Sequence, residues 1–132
     1  MQIKKIDSNL LYKEVSNQVI GAAIEVHREL GPGLLESAYE ECLAHELSLR
    51  GIPFVRQLDV PLDYKGVRLD VGYRIDLLVN DVIIIELKTV QKILPIHEAQ
   101  LLTYLRLLQK PVGLLMNFSV TVLKDGIVRR VL

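Results

Sequence analysis

Between residues 11 and 30 the apolar positions Val15, Val19, Ala22, Val26 and Leu30 recur three and four apart, which keeps them on one side of a helix. Gly31-Pro32-Gly33 stops that pattern and makes a tight corner. A second helix is predicted over residues 34–50, with Leu35, Ala38, Tyr39, Cys42, Glu46 and Leu47 along one side and Gly51 placed to end it. After Pro53 the period shortens. Residues 54–59, 60–64, 67–71, 73–79 and 82–89 read as extended segments of a meander, separated by turn signals at Lys65-Gly66 and Asn80-Asp81. Pro95 suits the first turn of a third helix, whose His97, Gln100, Leu101, Tyr104 and Leu108 share a side, and Pro111 follows its end. Residues 112–116 then form a short buried strand. The tail, 120–123 and 127–131 around Asp125-Gly126, predicts a hairpin. The order helix, helix, strands, helix, strand, hairpin indicates an α/β fold in which helices flank a mixed sheet.

Composition narrows the picture. A chain of 132 residues, half of them hydrophobic, is long enough for one domain with a sizeable core. The sixteen basic and sixteen acidic side chains balance, so nucleic-acid binding would need a local patch. The single Cys42 excludes an internal disulfide and fits a reducing compartment. No stretch approaches the roughly 20 apolar residues of a membrane span, and residues 1–7 lack the apolar core of a signal peptide. The expectation is a soluble, cytoplasmic protein without a membrane partner.

The apolar run 82–85 ends in Glu86-Leu87-Lys88. Strand side chains alternate, so Glu86 and Lys88 share a face, and burying charges there is costly unless they are used or paired. Ten residues earlier Asp76 interrupts another apolar strand. Two carboxylates about 4 Å apart repel by roughly 4 kcal/mol at an effective dielectric of about 20, so a pair invites a cation or a proton. Magnesium prefers oxygen ligands and keeps waters, which suits Asp76, Glu86 and the Leu87 backbone carbonyl with a substrate phosphate. Lys88 would then orient or deprotonate an attacking water, a combination suited to phosphodiester hydrolysis. A surface Glu-Lys pair at a strand end remains the plain alternative.

Glu36 borders the apolar stripe of the second helix and could face the sheet, or serve only as an acid favoured by the helix dipole. Gln100 and Tyr104, four apart on the third helix, could hold a phosphate or a base, or be a surface amide and a core phenol. His27 and His97 suit packing or capping, and His45 suits solvent. No zinc spacing, glycine-rich phosphate loop or nucleophile elbow is present.

Register decides whether the acids meet. A two-residue Asn80-Asp81 turn pairs Asp76 with Ile85 and puts Asp76 and Glu86 on opposite faces. Pairing Asp76 with Glu86 needs the three-residue loop Asn80-Asp81-Val82, or a bulge.

Gly33-Leu34-Leu35-Glu36-Ser37-Ala38-Tyr39 carries the signature G-x-x-E-x-x-Y, and the chain resembles the GxxExxY proteins, themselves similar to the PD-(D/E)XK nuclease superfamily. The resemblance extends through Asp76, Glu86-Leu87-Lys88 and Gln100-x-x-x-Tyr104, in the order of the RecB-like branch. It implies a restriction-endonuclease-like core with helices on each face of a mixed sheet. It also implies that Asp76 and Glu86 bind Mg2+ or Mn2+, that Lys88 assists catalysis, and that Glu36 completes the acidic cluster. Gln100 and Tyr104 would support substrate or site.

Three readings follow. The first is a metal-dependent nuclease acting on DNA, and the second is a non-catalytic module of the same fold binding a protein or nucleic-acid partner. Small size also suits a homodimer or an accessory-protein role. The third, a structural interaction module, would need an exposed apolar patch on the tail or first helix. Arg50, Arg56, Lys65, Arg68, Arg74 and Lys92 could form a basic rim, but an evenly mixed surface suits them better.

Overall fold

The computed structural model describes residues 8–132; residues 1–7, read above for a targeting core, lie outside the described residues. Two helices, α1 (Ser8–Leu30) and α2 (Glu36–Leu49), precede strands β1 (Phe54–Asp59), β2 (Leu62–Tyr64), β3 (Val67–Leu69), β4 (Arg74–Val79) and β5 (Ile83–Lys88). Helix α3 (Pro95–Leu108), β6 (Val112–Asn117), a 3-10 turn (Leu123–Gly126) and β7 (Ile127–Val131) follow. The main sheet runs β1-β4-β5-β6-β7, antiparallel except for the parallel β5–β6 pair. That parallel pair requires a crossover, and α3 supplies it.

The sheet separates two apolar layers. On one side Val15, Val19, Ala22 and Val26 of α1 and Tyr39, Leu43 and Leu47 of α2 pack against Leu77, Val79, Ile83, Ile85, Leu87, Leu114 and Met116. On the other, Leu101, Tyr104 and Leu105 of α3 pack on Ile75, Leu78, Ile84 and Leu115. Strands covered on both faces read as continuous apolar runs, which is why 82–85 and 112–116 lack alternation. The buried stripe of α2 is centred on Glu40, Leu43, Ala44 and Leu47, so Leu35 is exposed and Cys42 only half-buried.

Two expected elements differ. The meander is interrupted: β2 and β3 form a ribbon of their own, and β1 pairs with β4 across it. The tail hairpin does not form, because β7 pairs with β6 and residues 123–126 coil as a 3-10 turn. Gly126 is not among the glycines with positive φ, which a type I′ hairpin turn would need. Its role is close approach, since a Cβ there would lie 2.4 Å from the Asn117 carbonyl oxygen. Burial of Phe118 and Leu123 ties this connection to the core.

Between β4 and β5 both turn signals in the sequence operate together. Asn80 and Asp81 adopt φ of 52° and 59°, and the Val82 N–H donates to the Val79 carbonyl at 3.1 Å, closing a two-residue turn. Val82 is then an extra residue, and the pairing resumes as Val79 with Ile83, Leu78 with Ile84 and Leu77 with Ile85. This one-residue slip brings Asp76 level with Glu86. The left-handed positions fall on Asn and Asp, which tolerate them, and not on Val82.

Candidate functional site

The signature Gly33-x-x-Glu36-x-x-Tyr39 is first of all a corner. Gly31 and Gly33 take φ of 68° and 108°. The fully buried Tyr39 stacks on Phe118 at 4.4 Å, donates its hydroxyl to the Gly31 carbonyl at 2.6 Å and accepts the Leu34 N–H at 3.1 Å. These bonds pin the loop to α2 and fix where the helix starts, placing the exposed Glu36 in its first turn. One turn further, Glu40 lies on the same side and is buried, only 7% exposed.

Where β4 and β5 meet their ends, backbone and acids interlock. The Asp76 N–H donates to Glu86 Oε1 at 3.3 Å, and the Leu87 N–H donates to Asp76 Oδ2 at 2.8 Å. In an extended residue N–H and C=O point to the same side, so the Leu87 carbonyl also faces β4 and Asp76. Glu86 is 8% exposed. Burial first, and then the charge of Asp76, push its carboxyl up to about 8, against the opposing pull of Lys88. Asp76 is raised too, chiefly by burial and also by Glu40 and Glu36, while the Leu87 bond and Lys88 act the other way. Glu36 acts on both acids, so it lies within their electrostatic reach although it is solvent-exposed.

Lys88 sits half-buried at the strand end, and among the described residues its ammonium forms no ion pair. Asn117, paired with Lys88 across β5 and β6, bonds both backbone groups of Val90 and the Ser119 N–H, and the Phe118 N–H donates to the Lys88 carbonyl at 2.9 Å. Loop and strand end are thereby held together. Tyr104 of α3 is buried, and burial followed by the charge of Glu86 raises its hydroxyl. Its ring centroid is 6.2 Å from that of the exposed Tyr73. Gln100 is exposed. His97 caps α3 by accepting the Leu94 N–H, and His27 bonds the Val120 carbonyl at 2.9 Å, so both have structural work.

The geometry thus gathers Asp76, Glu86, Leu87, Lys88 and Tyr104, sets Glu36 at the margin, and leaves Gln100 on the surface. Among the described residues no three His, Cys, Asp or Glu side chains converge on one metal point. The donor set near Asp76 and Glu86 is two carboxylates and a carbonyl, a partial oxygen cage of the kind magnesium completes with water and phosphate. Once both ionise, the half-buried Asp76 and the buried Glu86 carry two negative charges against the one positive charge of Lys88, an excess that a divalent cation would neutralise. The residues therefore fit such an ion.

Sequence reasoning missed Glu40 and Gln57. Glu40 accepts Arg56 Nε and Nη2 at 3.0 and 2.7 Å and Gln57 Nε2 at 2.6 Å. Its spacing of four from Glu36 was the available signal. The supposed basic rim is largely neutralised, with Arg50 on Glu46, Arg56 on Glu40 and Glu41, Arg68 on Asp63 and Arg74 on Asp59. Among the described residues no helix is long and apolar enough to cross a membrane.

Comparison with known proteins adds an independent line. No curated protein and no solved structure gives a significant match. A family model described as the PD-(D/E)XK nuclease superfamily matches residues 13–131, nearly the whole chain and every element from α1 to β7. The chain belongs to the PD-(D/E)XK nuclease superfamily.

Proposed function

We propose that the protein is a Mg2+- or Mn2+-dependent nuclease that hydrolyses DNA phosphodiester bonds, its residues 1–132 forming a single nuclease-like domain of the GxxExxY group in the RecB-like branch. The observation that carries this reading is the interlock of the half-buried Asp76 with the buried Glu86, at a strand end where Lys88 forms no ion pair among the described residues. Asp76, Glu86 and the Leu87 carbonyl would hold the ion, with Glu36 available through water. When bound, the metal supplies charge neutralisation at the phosphate and an acidified water.

The chain's own residues do the rest. Lys88 projects from the same face of β5 as Glu86, where its ammonium orients the attacking water and steadies developing negative charge on the phosphate. The bond from Leu87 to Asp76 fixes one carboxylate, so no reorganisation is needed when substrate arrives. Tyr104 forms the α3 wall beside Glu86, and Gln100, one turn earlier, contacts substrate from the helix surface. The protein works in the cytoplasm, alone, as a homodimer or beside an accessory protein that supplies the DNA-reading surface its balanced charge lacks.

The competing reading is a non-catalytic nuclease fold that binds a protein or nucleic-acid partner. It draws on the two-carboxylate site, smaller than a full acidic cluster. Purified protein incubated with single-stranded and duplex DNA, with Mn2+ or chelator, separates the two. Metal-dependent cleavage that disappears in Lys88→Ala supports the enzyme. DNA retention without cleavage in any metal supports the binding module.

A further inference from the structure

Strand β1 contains one residue in a conformation its type disfavours. Gln57 has φ of 51°, and a non-glycine side chain in the left-handed region is strained unless its surroundings hold it there. The β1–β4 register pairs Phe54 with Val79, Val55 with Leu78, Arg56 with Leu77, Leu58 with Ile75 and Asp59 with Arg74. Every pair obeys one offset, and the single position passed over is Gln57 opposite Asp76. No residue has been inserted, so this is not an ordinary bulge.

What changes there is the facing of side chains. Phe54 packs in the α1/α2 layer but Leu58 in the α3 layer, although both are even positions of one strand. On the partner strand Leu77 lies in the α1/α2 layer and Ile75 in the α3 layer. Regular alternation would put each pair on one face. The consecutive residues Arg56 and Gln57 both bond Glu40 of α2, which regular alternation also forbids. Both strands therefore exchange faces at this one pair. Asp76, caught between the two regimes, reaches instead for the N–H of Leu87 on the neighbouring strand.

We infer that Gln57 is a positioning residue: its left-handed backbone, held by the bond to buried Glu40, makes β1 and β4 exchange faces and turns the Asp76 carboxylate onto β5. The functional consequence rests on the reading of Asp76 as a metal ligand, but the positioning itself does not. It also gives Glu40 a task, as the anchor that ties α2 to the strand distortion through Gln57 and Arg56.

The test compares wild type with Gln57→Val, whose branched side chain rejects positive φ, and Gln57→Gly, which accepts that φ but cannot bond Glu40. Amide exchange at Leu87 is followed by NMR, with Leu114 in β6 as the reference for global stability, and Mn2+ affinity is measured by calorimetry. In Gln57→Val, Leu87 is expected to exchange at least about tenfold faster relative to Leu114, and Mn2+ affinity to fall about 10- to 100-fold, as for other residues that orient metal ligands. In Gln57→Gly a smaller acceleration at Leu87 is expected, and this variant decides the matter if the valine form does not fold. Leu87 protection and Mn2+ affinity equal to wild type in the variants that fold would overturn the inference. A wild type that binds no Mn2+ would end the nuclease reading, while Leu87 exchange would still decide whether Gln57 positions Asp76.

Discussion

Asp76 and Glu86 each brace the strand that carries the other: the Asp76 N–H is held by the Glu86 carboxylate at 3.3 Å, and the residue after Glu86 gives its N–H to the Asp76 carboxylate at 2.8 Å. The bonds that keep the acids together are thus also the bonds that join β4 to β5 beyond Leu77 and Ile85, where the regular pairing ends. Proximity of the half-buried Asp76 to the buried Glu86 is unfavourable for an empty site and useful for one that holds a cation.

Burial and the charge of Asp76 push the Glu86 carboxyl up to about 8 from its ordinary 4.5. Between those values the folded state keeps a proton that the unfolded state has released. Stability in chelator should therefore fall as pH rises from about 4.5 to 8 and level off above. Asp76 is displaced in the same direction and adds to the trend. A divalent metal binds the ionised acids, so its stabilisation should grow with pH. Thermal midpoints at pH 5 and 8.5, with chelator and with Mn2+, read both slopes. A Mn2+ effect larger at pH 5 than at 8.5 would contradict the assignment.

Neutralising one acid should separate stability from function. Glu86→Gln keeps an oxygen to accept the Asp76 N–H but removes a buried like charge, and should stabilise the metal-free protein at pH 8.5 by about 1–3 kcal/mol. For a chain of this size that is a rise in Tm of roughly 3–10 °C. The same variant should lose Mn2+ binding. A lowered Tm in chelator would show that Glu86 serves the fold instead.

Lys88 should behave in the opposite way. Among the described residues Lys88 forms no ion pair, and its charge favours the ionised acids without ligating a metal, so Lys88→Ala should keep the fold and bind Mn2+ no more weakly than wild type. Removal of a cation that stabilises transition-state charge should lower kcat by about 10²- to 10³-fold. Single-turnover cleavage beside calorimetric Mn2+ titration checks the split.

The packing of α3 against the sheet can be tested without reference to chemistry. A Cβ on Gly113 would stand 2.6 Å from Leu101 Cδ1 and 2.9 Å from its Cγ. Gly113→Ala should therefore cost about 1–3 kcal/mol through overpacking in a layer that cannot open. Urea unfolding measures it, and Gly113→Ala with Leu101→Ala should recover part of the loss.

Much of this was legible in residue order. The helix corner at Gly31-Pro32-Gly33, the α3 helix from Pro95 and the charged end of an apolar strand at Glu86 and Lys88 were local patterns with local causes. The register of β4 and β5 was legible only as a condition, because Asn80-Asp81 specifies a turn but nothing local reveals that Val82 is an extra residue. The tail misled for a related reason: Asp125-Gly126 has the composition of a hairpin turn, yet Gly126 is there to approach Asn117, and β7 finds its partner in β6. Gln57 was invisible, and Glu40 was signalled only by its spacing from Glu36, because their roles arise only when α2, β1 and β4 come together.

Whether Asp76 and Glu86 hold a metal used to cut DNA is decided by cleavage of end-labelled single-stranded and duplex DNA by wild type and Glu86→Gln across a Mn2+ titration. Wild type is expected to cleave with saturation in Mn2+ and to stop in chelator, and Glu86→Gln to lose cleavage while remaining folded. Wild-type protein that leaves both DNAs intact at saturating Mn2+, or a Glu86→Gln variant that cuts as well as wild type, would contradict that role.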